Sequence, residues 1–336
     1  MSELIVDLTE AKKFLTERKS QTCIVQIPEG LKDKTTWIID ELSTSCQNVF
    51  VKMDPCYGAC DLPLNDMQAL NADTIIHIGH GPIHRHKDIL YITCNYNLSK
   101  EEIEKNAKRL LKELEARKIK IISLIANVQY QHALPELKKI LFQNGIDSHI
   151  GEGSRRIATQ GQVLGCNYTV VESIQPSIEA NVYFGDGYFH PQGLVFSTTK
   201  PVIVLNPLHG TVEEISEKRR DKFMRQRFGA IAKASEAKSF GIIVSIKSGQ
   251  RQKEKALALK EAIERHGKKA YLLEMDLVNE SYMMGVAVDC LVNTACNRIV
   301  LDDAQNWKRL ILNPTECLIA IGEKQWEEWN PDEFLH

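Results

Sequence analysis

Nine cysteines punctuate this 336-residue chain, at positions 23, 46, 56, 60, 94, 166, 290, 296 and 317. Three of them have matching neighbours: Ala59-Cys60-Asp61, Gly165-Cys166-Asn167 and Ala295-Cys296-Asn297 each put a small residue before the cysteine and Asp or Asn after it. Thiolate sulfur is a soft ligand that selects iron–sulfur clusters, zinc or Cu(I). Nowhere do two cysteines make the Cys-x-x-Cys of a zinc knuckle or redox pair, so a centre here is built from distant loops. If Cys60, Cys166 and Cys296 converge, they suit a 4Fe-4S cluster, on which three protein ligands leave one iron open to a small molecule. Cys23, Cys46, Cys94 and Cys317 lie in apolar or helical runs and are expected as small buried hydrophobes. Cys56 and Cys290 precede members of the trio by four and six residues, and are read either as spare thiols or as supports for a ligand.

The pattern along the chain shows how cysteines 106 and 130 residues apart could meet. Helical stretches at 8–19, 100–118 and 213–238 each run into a β-branched apolar strand, at 23–27, 121–125 and 242–246. After each strand come a second helix (33–45, 131–144, 251–267), a second strand (48–53, 146–151, 269–274) and a longer loop that delivers the cysteine. Continuous apolar strands alternating with amphipathic helices read as parallel sheet covered on both faces. Downstream, Ile78-Gly79-His80-Gly81-Pro82-Ile83-His84 matches Phe184-Gly185-Asp186-Gly187-Tyr188-Phe189-His190, each beginning 18 residues after its cysteine, while the third copy keeps only a plain strand at 309–314. The prediction is an α/β protein of three pseudo-threefold-related units, 1–99, 100–210 and 211–336, with short parallel sheets flanked by helices and each unit donating one cysteine to a central site. In such sheets ligands bind beyond the carboxyl ends of the strands, the edge at which each cysteine loop lies.

Gly79, Gly81, Gly185 and Gly187 bracket the two matching strand ends, where glycine lets backbone turn sharply or approach a ligand, and they are the candidate cofactor-binding positions. His84 and His190 recur at equal offsets, which favours a shared structural hydrogen bond over metal ligation. Asp302 and Asp303 suit either a helix cap or a place beside the cluster. The basic run Lys218–Arg227 reads as a solvated helix face, with a substrate carboxylate or an acidic partner surface as the functional alternative. Trp326–Asn330 is expected to pack against the third unit.

Composition narrows the class. The balance of 42 basic and 44 acidic residues, net −2, argues against non-specific nucleic-acid binding. With 43% apolar residues there is ample material for a large core, yet no stretch approaches the roughly 18 to 20 apolar residues of a membrane helix. The start, Met1-Ser2-Glu3-Leu4-Ile5-Val6-Asp7, lacks the basic region and long apolar run of a signal peptide, so a cytoplasmic location is expected.

Asp54-Pro55-Cys56-Tyr57-Gly58-Ala59-Cys60-Asp61, with Gly161–Asn167, Asn293–Cys296 and the early Ile27-Pro28-Glu29-Gly30-Leu31, resembles the archaeal diphthamide-synthesis family, the 2-(3-amino-3-carboxypropyl)histidine synthases. The likeness covers essentially the whole chain; one departure is Asn297, where the family often has proline. The resemblance implies a homodimer of three-domain subunits, each holding a 4Fe-4S cluster on Cys60, Cys166 and Cys296. It further implies a transferase: S-adenosylmethionine at the open iron, one-electron reduction by an external donor, and cleavage from sulfur to the γ-carbon by a radical route. The 3-amino-3-carboxypropyl group then goes to the imidazole carbon of a histidine in translation elongation factor 2, leaving methylthioadenosine. Ordinary radical S-adenosylmethionine enzymes use a Cys-x3-Cys-x2-Cys loop, which Cys56 and Cys60 begin but Pro63 breaks. Two competing readings are a quinolinate-synthase-like dehydratase, with the open iron as a Lewis acid, and a non-catalytic partner subunit.

Overall fold

The computed structural model describes residues 4–83 and 85–334. The first unit runs β1 (Leu4–Ile5), α1 (Thr9–Arg18), β2 (Thr22–Gln26), α2 (Thr35–Leu42), β3 (Asn48–Lys52), α3 (Leu64–Ala69), β4 (Thr74–Ile78), β5 (Ile89–Ile92) and β6 (Asn95–Tyr96). The second comprises α4 (Lys100–Ala116), β7 (Ile121–Ala126), α5 (Leu134–Gln143), β8 (Asp147–His149), α6 (Thr169–Glu172), β9 (Ala180–Phe184), α7 (Phe189–Ser197), β10 (Val202–Asn206) and β11 (Thr211–Glu214). The third has α8 (Glu217–Ser235), β12 (Ser239–Ser245), α9 (Lys253–Arg265), β13 (Lys269–Met275), β14 (Cys290–Asn293), α10 (Arg298–Asp303), β15 (Leu310–Leu312) and α11 (Pro314–Ala320).

The strand orders are β3-β2-β4-β5, β8-β7-β9-β10-β11 and β13-β12-β14-β15. Each sheet therefore places its second strand at one edge, then the first, third and fourth, all parallel. The central strands are mostly apolar because both their faces are covered: Cys23, Val25, Ile76 and Ile78 enter one core while Ile24 and Ile75 enter another on the opposite face. The second and third sheets repeat this two-faced arrangement. Local signals set the helices. In α4, Ser99 Oγ accepts from Glu102 N at 3.2 Å and the Glu102 carboxylate accepts from Ser99 N at 2.8 Å, a reciprocal N-terminal cap. Its buried stripe Ile103, Ala107, Leu110 and Leu114 faces the sheet.

Two expectations need correction. The second sheet continues past residue 210, since β11 pairs antiparallel with β10; residues 213 and 214 are thus strand, and the helix expected from 213 begins at Glu217. The chain's end packs on the third unit as expected, with Trp326 and Trp329 on its core and Pro331 and Asp332 bonded to Asn297 and Thr315, and residues 333–334 then reach the second unit at Asn167 and Tyr168. Most important, the third cysteine is not the topological partner of the other two. Cys60 and Cys166 follow the second strand of their sheets, whereas Cys296 follows the third, β14, which the sequence pattern had concealed. Strand β15 matches β5 and β10, and Cys296 stands three residues beyond its strand end, as Gly81 and Gly187 do.

Within the basic run of α8, Arg227 is buried and its guanidinium donates to both carboxylate oxygens of Glu316, at 2.7 and 2.6 Å, and to Ile311 O at 2.9 Å. Breaking a buried pair strands the remaining charge. Arg227→Met is expected to lower the free energy of unfolding by roughly 3–5 kcal/mol. In the same urea titration, exposed Lys222→Met leaves the midpoint unchanged.

Candidate metal centre

The three cysteine loops meet. Each of Cys60, Cys166 and Cys296 lies within electrostatic reach of the other two. Cys60 sits in the loop between β3 and α3, where its carbonyl accepts from Gly249 N at 2.9 Å and its Sγ from Gln250 Nε2 at 3.4 Å. Cys166 occupies the tip of a tight turn closed by Leu164 and Asn167, which exchange backbone hydrogen bonds at 3.2 and 3.3 Å; its carbonyl accepts from Phe334 N at 2.8 Å. Cys296 precedes α10, and its carbonyl accepts from Asn293 Nδ2 at 2.9 Å. All three cysteine carbonyls are thus fixed, leaving the sulfurs to point as the backbone dictates.

Burial pushes all three thiols up. Cys296 reaches about 12, through burial first and then the charge of Cys60; Cys166 is raised by burial and by both neighbouring sulfurs. Cys60 is raised by burial and pulled back by the Gln250 donor and the Arg156 charge. Three thiolates here need a cationic centre to hold them.

The residues fit an iron–sulfur cluster better than one ion. A tetrahedral zinc with sulfur at about 2.3 Å brings thiolates to about 3.8 Å from one another. Among the described residues, the trio whose ligand atoms all lie within 4.8 Å is Cys56, His77 and His80, so the three loop cysteines form a wider triangle. Beside it is a buried donor without a partner among the described residues, Arg156 Nε, whose charge acts on Cys60 and Cys166 and is suited to anionic sulfide. Cys60, Cys166 and Cys296 would hold the cluster.

Sequence reasoning missed the framework around the sulfurs. Arg156 donates to Gly249 O at 3.0 Å and lies over the Phe334 ring, 4.9 Å from its centroid. Arg298 donates to Gly165 O at 3.0 Å, to Tyr168 Oη at 3.1 Å and to Phe189 O at 2.7 Å, and Asp302 holds it with contacts of 2.9 and 2.8 Å. Asp302, inside α10, therefore positions Arg298. Lys247 pairs with Asp61, next to Cys60, at 2.5 Å. Only the Arg-x-x-x-Asp spacing after Cys296 was a readable signal.

The glycines have separate surroundings. Gly79 has φ +93 and packs on Pro28, where an added Cβ would meet Cγ at 3.0 Å; Gly187 has φ +67 with open space around it. An added Cβ on Gly81 would approach Gln162 Nε2 at 2.7 Å, and on Gly185 the Tyr183 hydroxyl at 2.8 Å. His190 is hydrogen-bonded to the Tyr183 hydroxyl at 3.4 Å, and burial pulls its pKa down to about 3. Its partner in the repeat, His84, lies outside the described residues. Cys23, Cys46 and Cys94 belong to the first core; Cys290 and Cys317 belong to the third.

Gly249 leaves no room for a side chain: a Cβ would stand 2.5 Å from Cys60 Cα. Gly249→Ala is expected to lose most of the cluster iron by iron and sulfide analysis, while Gly229→Ala, in open space on α8, keeps it. Because each thiol must shed its proton to ligate, cluster assembly releases protons and binding weakens as pH falls. Iron retained at about pH 8 should be lost progressively below about pH 6, read by visible absorbance in the presence of a chelator.

Residues 27–330 match the family model for diphthamide synthesis protein. The chain is 34% identical over 329 residues to the 2-(3-amino-3-carboxypropyl)histidine synthase of Pyrococcus horikoshii, covering 97% of this chain and 93% of that one. It is 27% identical to the enzyme of the same name from Methanocaldococcus jannaschii, covering 93% and 88%. The crystal structure of Dph2 from Pyrococcus horikoshii with a 4Fe-4S cluster superposes with a TM-score of 0.87 at 31% identity, over 99% of this chain and 95% of that one. The chain belongs to the diphthamide synthesis family.

Proposed function

We propose that this chain transfers the 3-amino-3-carboxypropyl group of S-adenosylmethionine to the imidazole carbon between the two nitrogens of a histidine in translation elongation factor 2, the first step of diphthamide biosynthesis. It is an enzyme of the transferase class. The observation that carries the reading is the meeting of Cys60, Cys166 and Cys296 from three separate sheets. A 4Fe-4S cluster bound there supplies an open iron for S-adenosylmethionine and the electron that breaks its bond from sulfur to the γ-carbon, by a radical route that leaves methylthioadenosine.

The chain's own residues position and compensate. Buried Arg156 and Arg298 place fixed positive charge beside a site that must accept an anionic cluster and the carboxylate of the cosubstrate. Gly79, Gly81, Gly185 and Gly187 carry backbone at the ends of β4 and β9, and the space around Gly187 leaves room for the cosubstrate. Ligands from three distant loops present the cosubstrate differently from a single local loop, which is the reason to expect a different bond to break. In this reading the enzyme works as a homodimer in the cytoplasm, with elongation factor 2 as protein substrate, an external one-electron donor and no direct nucleic-acid contact. No described helix is long and apolar enough to cross a membrane.

The test is mass spectrometry of the nucleoside released when the anaerobic, reduced protein meets S-adenosylmethionine. Methylthioadenosine formed only with reductant, and abolished by Cys166→Ala, is expected. Release of 5′-deoxyadenosine would contradict the bond assignment; no cleavage with the cluster intact would favour a dehydratase.

A further inference from the structure

A second group of metal-type donors lies beside the cluster loops and takes no part in the reading above. Cys56, four residues before Cys60, is 6% exposed, and His77, inside β4, is fully buried. His80 follows in the turn after β4, and one ligand atom from each of the three lies within 4.8 Å of the others. The Nε2 of His77 faces the Nδ1 of His80 at 3.0 Å.

The surroundings fix the donors' direction. Gln26 donates its amide N–H to Asp61 O at 2.5 Å, so its Oε1 faces His77 Nδ1, at 2.9 Å, and must accept. His77 therefore carries its proton on Nδ1 and turns the Nε2 lone pair toward His80 Nδ1. A metal-bound imidazole is held in this way, by an acceptor on its remote nitrogen. A tetrahedral ion at about 2.0–2.1 Å from nitrogen and about 2.3 Å from sulfur requires donor separations of about 3.3–3.6 Å. The imidazole pair stands within a few tenths of an ångström of that spacing.

We infer that Cys56, His77 and His80 form a site for one divalent, borderline-soft metal ion, Zn2+ or Fe2+, distinct from the three-cysteine centre. Two imidazoles and a thiolate match the preference of such ions for nitrogen and sulfur, and three protein donors leave a fourth position for water or another small ligand. Binding releases the Cys56 thiol proton and moves the His80 proton from Nδ1 to Nε2, freeing Nδ1 to ligate.

The probe is Co2+, added anaerobically to the intact, chelator-dialysed protein with its cluster in place. The expected result is one cobalt per chain, with thiolate-to-cobalt charge-transfer absorption that disappears in Cys56→Ser and His80→Gln but persists in Cys166→Ala. Gln26→Leu, which removes the acceptor on His77, should weaken cobalt binding by about 10–100-fold. Thermal melting checks that each variant folds, and if Cys56→Ser does not, His80→Gln decides. Absence of stoichiometric cobalt would overturn the inference. So would the reverse pattern, in which the band survives Cys56→Ser and is lost in Cys166→Ala, because the ion would then sit at the three cluster cysteines.

Discussion

Mutual repulsion among three thiolates in a half-dry pocket is the constraint on which the rest of this structure depends. Burial and neighbouring sulfur charge raise the thiols of Cys166 and Cys296, so the ligands do not stay together as anions unaided. The chain answers with contacts that act on backbone rather than on sulfur. Gly249 N, Phe334 N and Asn293 Nδ2 hold the carbonyls of Cys60, Cys166 and Cys296 whatever the protonation state of the side chains. Fixed positive charge from Arg156 and Arg298 then lowers the cost of ionising the sulfurs.

These contacts also explain why three similar units behave as one protein. The joins between units lie next to the three loop cysteines: Lys247 to Asp61 and Gly249 to Cys60 link the third unit to the first, and Arg156 to Gly249 and Arg298 to Gly165 link the second to the third. The last residues form a strap over two loops, with Asn297 Nδ2 donating to Pro331 O at 2.7 Å and Asn167 Nδ2 to Phe334 O at 2.6 Å. Asn167 and Asn297, the residues after two of the three cysteines, thus both reach for the strap. Asp61, the third such residue, takes a lysine instead.

Much of this was legible because sheets covered on both faces must be continuously apolar, and β2, β7 and β12 stand out as such runs. The cysteine trio was legible from its flanking residues. The order of the third unit was not: β14 is only four residues long and opens with a cysteine, so its period is too short to read, and Cys296 looked equivalent to ligands it matches only in space. Arg156, Gly249 and Gln250 were invisible for another reason. Their roles come from contacts across 90 to 190 residues of chain, and nothing in Arg155-Arg156 or Ser248-Gly249-Gln250 marks them locally. The pairing of His77 with Cys56 is likewise tertiary, since β4 and the Cys60 loop are adjacent only once the sheet has formed.

The central claim is that one cluster is held by three cysteines from three loops, and an anomalous difference map at the iron edge, from crystals grown anaerobically, tests it most directly. The account predicts a multi-iron feature bonded to the sulfurs of Cys60, Cys166 and Cys296 and to no other side chain, separate from any single ion at Cys56, His77 and His80. A feature bonded to Cys56 in place of any of them, or one reached by only two of the three loops, would contradict it.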